Sequence, residues 1–110
     1  MTDVDLSELV IELLAEARQA HSGRAARTVR GQSEHRLRLT VIGLRAGAEL
    51  SDHESPGEAT LQVLSGHVRM TCADGDWVGS AGALVDIPPV RHGLKAEEDS
   101  VVMLTVALST

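Results

Sequence analysis

The residues of this chain with the most chemistry to offer are its histidines, and two of them stand in settings that resemble ligand positions. His53 lies in the stretch GAELSDHESPGEATLQVLSG, between Gly47 and Gly66, and His92 follows the proline pair of GALVDIPPVRH. A neutral imidazole can bind a metal ion, donate or accept a hydrogen bond, or move a proton near neutral pH. Glu54 and Glu58 lie close to His53 in sequence. Strand alternation turns Glu54 away from His53, and Glu58 belongs to the Pro-Gly turn, so either joins His53 only where a bulge shifts the parity.

The other reactive side chains make weaker candidates. His67 has the opposite parity from Val68 and is expected at the surface. His35 shares parity with Leu37 and could stand at the mouth of a pocket. His21 sits where a helix ends, and its charged form would complement the helix dipole. Cys72 shares a face with Val68 and Met70 and reads as a small buried hydrophobe; Met70 would line a pocket or the core. Gln62 lies on the face opposite Leu61 and Val63, and Trp77 could cap one end of a barrel.

Composition narrows the function. The chain has 110 residues, enough for one core. Its formal net charge is -6, and Trp77 is its only aromatic residue among Phe, Trp and Tyr. An acidic chain with a single aromatic ring of this kind suits neither phosphate-backbone binding nor base stacking, so no nucleic-acid partner is expected. The single cysteine permits no intrachain disulfide and fits a reducing compartment. The acidic start MTDVDLSEL lacks the basic opening of a signal peptide, and no apolar run is long enough to cross a bilayer. A soluble cytoplasmic protein without a membrane partner is the expectation.

Two kinds of element must position these side chains. Residues 1–22 read as an amphipathic helix, with Leu6, Val10, Leu13, Leu14 and Ala17 on one face and Leu9 and Ile11 beside them. Asp3 or Ser7 would cap it, and Gly23 would terminate it. Residues 23–110 change to short strands broken by turn residues, the grammar of a β-sandwich or barrel. In HRLRLTVIGL, Leu37, Leu39 and Val41 alternate with Arg36, Arg38 and Thr40, and ADGD marks a hairpin. Arg24, Arg27, Arg30, Arg36 and Arg38 are half of the ten basic residues. They read as an outward strand face that can pair with the acidic helix, in preference to an anion-binding edge.

From about Arg27 to Leu108 the chain resembles the cupin superfamily of small β-barrels. The first cupin motif is a glycine, a His-x-His pair, a glutamate after a turn, and a second glycine; Gly47, His53 and Gly66 fall at their places. The second is a glycine, a strand, a proline and a histidine, which Gly82, Pro88 and His92 match with a slightly shortened link. The resemblance implies an all-β fold, a cupin-type β-barrel (double-stranded β-helix, jelly roll) preceded by the N-terminal α-helix. In such a barrel the motif residues converge on one divalent ion, iron, manganese, nickel or zinc.

Here Ser55 stands where the second histidine would, and Ala59 where the glutamate would. Three readings of His53 and His92 follow: a weak or substrate-completed metal site, a metal-free ligand pocket, or two satisfied core histidines. The pocket around them would include Ser55, Ala59, Met70 and His35. The corresponding function is a small-molecule binding module with or without one divalent transition metal. The alternative is a metal-dependent dioxygenase or isomerase acting on a small organic acid. A homodimer is also expected, through an outer face around Leu64 and Val102 and the apolar helix.

Overall fold

The computed structural model describes residues 3–31, 34–54 and 57–108. Helix α1 spans Leu6–Gln19. Nine strands follow: β1 (Arg24–Arg30), β2 (Leu37–Leu44), β3 (Glu49–His53), β4 (Glu58–Ser65), β5 (His67–Cys72), β6 (Trp77–Ser80), β7 (Leu84–Asp86), β8 (His92–Ala96) and β9 (Ser100–Ala107). They form a five-stranded sheet in the order β1-β2-β9-β4-β7 and a four-stranded sheet in the order β3-β8-β5-β6. All the pairings are antiparallel.

The cap of α1 is neither expected residue: Asp5 is the N-cap, and its carboxylate accepts from Glu8 N–H at 3.1 Å. The helix stops at Gln19 before Gly23 is reached, and the Gly23 N–H then donates to Ala20 O at 3.0 Å. Leu9, Leu13 and Ala17 are its buried residues, so Leu9 belongs to the centre of the stripe, while Ile11 is 70% exposed. Leu9 and Leu13 pack with Val41 and Val101 on the outer face of the five-stranded sheet. Gly43 makes this approach close, since a Cβ there would lie 2.7 Å from Leu13 O.

That packing reverses one reading of β2. Val41 faces the helix outside the barrel, whereas Ile42 and Leu44 belong with the inner core of Leu61, Val63, Val68, Met70, Leu94, Ala96 and Val102. The strand is covered on both sides, so alternation of Leu37, Leu39 and Val41 marks its outer face. Arg38 consequently belongs to the inner face, and the outward reading of it is corrected. Arg27 follows the expected pairing with the helix, reaching Glu16 at 2.8 Å and Glu12 at 3.4 Å. The outer face imagined around Leu64 and Val102 is also corrected, because Val102 is fully buried inside and Leu64 packs beneath the helix cluster.

Among the described residues, no helix is long and apolar enough to cross a membrane. The ADGD segment connects β5 to β6 as a hairpin. Trp77 is half-buried against the inner core, where a Cβ on Gly79 would collide with its ring.

Candidate functional site

His53 ends β3 and His92 opens β8, and the two are direct cross-strand partners. The register shifts between Leu50, opposite Leu94, and His53, opposite His92, so β3 carries one residue more than β8 in this interval. Such a bulge restores the inward direction of His53 after an odd step from Leu50. Both Leu50 and His53 then line the same cavity. The two imidazoles meet edge to face, with centroids 4.5 Å apart and planes at 61°. His92 is 4% exposed, whereas His53 is exposed at the rim.

Each ring is held in the same way. The Nδ1 of His53 lies 2.8 Å from Ser51 O, and the Nδ1 of His92 lies 2.8 Å from Val90 O. A carbonyl oxygen only accepts, so Nδ1 must carry the proton and donate. In the neutral ring Nε2 is then left with its lone pair, the form in which imidazole binds a cation. The backbone thereby sets one tautomer in both rings.

The cavity beside them has a volume of about 30 Å³. Ile42, Leu61 and Leu104 line it from one sheet, and Leu50, Met70 and Leu94 from the other. A cavity holds a water molecule from roughly 10–15 Å³ upward, while pockets for whole organic ligands run to hundreds. The space is therefore too small to take in a whole organic ligand, and a guest would extend through the mouth past His53.

The other expected pocket residues are placed differently. Met70 lines the cavity and is 4% exposed. Ala59 is half-buried on β4, on the same face as Leu61 but outside the lining. His35 is exposed ahead of β2 and outside the cavity; it shares the face of Leu37, but that face is the outer one, and Leu37 is itself 54% exposed. Ser55 lies outside the described residues. Glu54 and Glu58 are exposed and do not line the cavity. Cys72 pairs with His92 across β5 and β8, but its thiol donates to Gly75 O at 3.0 Å and is half-buried. His67 is half-buried, with Nδ1 2.7 Å from Ser80 Oγ, and His21 is exposed.

Among the described residues, no three His, Cys, Asp or Glu side chains are grouped to hold one metal ion. The donor set fits an ion only as a two-imidazole partial site, because a firmly held catalytic ion usually takes three protein ligands. Sequence reasoning missed the two backbone carbonyls that orient the rings, the bulge in β3 and the inward Arg38. Only Arg38 left a signal, its shared parity with Thr40 and Ile42.

Solved structures share this architecture. A conserved protein of unknown function from Streptococcus pyogenes is 27% identical, with a TM-score of 0.73 over 83% of this chain and 79% of that one. An RmlC-like cupin protein from Desulfovibrio desulfuricans is 25% identical, with a TM-score of 0.67 over 76% of this chain and 81% of the other. A cupin-2 domain containing protein from Shewanella frigidimarina is 16% identical, with a TM-score of 0.72 over 94% and 93% of the two chains. No protein-family model and no curated protein matches the chain. The chain is a small all-β protein of cupin fold with an N-terminal helix.

Proposed function

We propose that this protein is a binding module for a small molecule, received at the mouth of the barrel by a divalent transition-metal ion that His53 and His92 hold weakly. The observation that carries this reading is the pair of imidazoles 4.5 Å apart, each with Nδ1 tied to a backbone carbonyl. With Nδ1 committed to a carbonyl in each ring, the remaining Nε2 lone pairs are the donors that a cation at this pair would use.

With two protein donors the ion exchanges readily, and water or the guest completes its coordination. Iron oxygenases typically add a carboxylate to two histidines. Among the described residues no such third group joins this pair, which favours binding over oxygen chemistry. When bound, the ion would supply Lewis acidity and an anchoring charge; the barrel supplies the apolar walls that limit the guest's size.

Metal analysis after expression and purification without chelators tests this reading. Zinc titrated into the purified protein should saturate near one equivalent, and this uptake should fall to background in both His53→Ala and His92→Ala. Uptake that is equal in wild type and the two variants would remove the proposal.

A further inference from the structure

We propose that Arg38 is the anchor for the guest, and that the guest is a small carboxylate. This rests on the binding function proposed for the imidazole pair and adds to it the chemical class of the ligand. Arg38 pairs with Val106 across β2 and β9, and Val106 pairs with Ala59 across β9 and β4. Paired residues in antiparallel strands share a face, and Val106, at 6% exposure, belongs to the buried one. Leu37 and Leu39 occupy the opposite face. The Arg38 Nε is itself buried.

The row Arg38–Val106–Ala59 lies next to the row that gives Leu104 and Leu61 to the cavity. Ile87, another cavity residue, ties the two together by donating its N–H to Ala59 O at 2.9 Å. On the facing sheet, the corresponding end of the barrel carries the His53–His92 pair. Arg38 is outside the cavity lining itself, one inner-face row beyond Leu104 towards the end of the barrel that holds the imidazoles, on sheets that pack about 10 Å apart.

A guanidinium presents five N–H donors in a planar fork, so it can keep a protein partner and still offer two parallel hydrogen bonds to an anion. The fork matches the planar O–C–O of a carboxylate. None of the residues lining the cavity carries a negative charge that would repel such a guest. Substituents beyond the carboxylate would point out through the mouth, since the enclosed volume is only about 30 Å³.

Calorimetric titration of the full chain with sodium butyrate, at ionic strength held constant with sodium chloride, tests this assignment. Butyrate should bind saturably, and butyramide, which has nearly the same shape without the charge, at least tenfold more weakly. Arg38→Gln should weaken butyrate at least tenfold, and Arg38→Lys, which keeps the charge without the fork, by less. Butyrate affinity within twofold of wild type in Arg38→Gln would overturn the assignment, as would equal binding of butyramide or tighter binding of inorganic phosphate. Zinc uptake by the same Arg38→Gln protein separates the two proposals. Zinc retained with butyrate lost supports both; zinc and butyrate both retained defeats the role of Arg38 and leaves the imidazole site standing. Arg38-dependent butyrate binding without zinc uptake supports Arg38 and defeats the metal reading, and a wild type that binds neither defeats both.

Discussion

Gly47 and Gly66 bracket the motif around His53, and both have left-handed backbones, at φ 86° and 88°. Their surroundings differ. A Cβ on Gly47 meets nothing within 4 Å, whereas one on Gly66 would collide with Asp99 O and Ser100 Oγ and lie 2.7 Å from Ser100 Cα. These neighbours are pinned: the Asp99 carboxylate accepts from Ala46 N–H and Arg18 at 2.8 Å each, and Ser100 Oγ accepts from His67 N–H at 3.0 Å. Gly47→Ala therefore suffers only the left-handed strain of an L residue, roughly 1–2 kcal/mol. Gly66→Ala adds an overpacking cost of about 1–3 kcal/mol, for a total of about 2–5 kcal/mol. Urea unfolding reads the difference directly: with m-values unchanged, the Gly66→Ala midpoint should fall below that of Gly47→Ala by about 0.5 M or more. Equal midpoints for the two variants would refute the reasoning, since φ alone would then account for both costs.

Two further outcomes follow from the packing and the charges. Leu13→Ala empties a fully buried site between α1 and β2. It should cost about 3 kcal/mol in urea unfolding, while zinc uptake by the remaining folded protein stays unchanged. The Asp99 carboxyl is held below its usual range, first by the hydrogen bond from Ala46 N–H and then by Arg18. Its folded-state pKa is depressed, so its contribution to stability is complete above the unfolded carboxylate value, near 3.9, and is lost as pH falls through the folded value. Asp99→Asn should flatten that acid-side decline in a urea series against pH, and an undiminished decline would show that other carboxylates cause it.

How legible the molecule was from its residues varied by element. The helix was plain, because Leu6, Val10, Leu13 and Ala17 recur at helical spacing, yet its register against the sheet placed Leu9 at the centre and Ile11 in solvent. The ADGD hairpin followed from local turn chemistry. Gly47 and Gly82 mark the two motifs because the backbone turns through positive φ at each. Strand β2 was misread for a physical reason: the helix covers the apolar row that ends at Val41 from outside, while the inner row starts polar with Arg38 and Thr40 before Ile42 and Leu44 reach the core, so its polar alternation points the wrong way. The inward turn of His53 rests on a bulge in β3, which hydrophobic alternation does not encode. The Nδ1 partners are backbone carbonyls, and these exist at every residue, so no pattern of side chains could have pointed to Ser51 and Val90.

Long-range ¹H–¹⁵N correlation spectra of the imidazole nitrogens, recorded without metal at a pH where the rings are neutral, test most directly whether the barrel presents two bare nitrogens to a guest. Protons on Nδ1 of both His53 and His92, with both Nε2 atoms unprotonated, is the result predicted. A proton on Nε2 of either ring would contradict it, because that nitrogen would then have no lone pair for a cation.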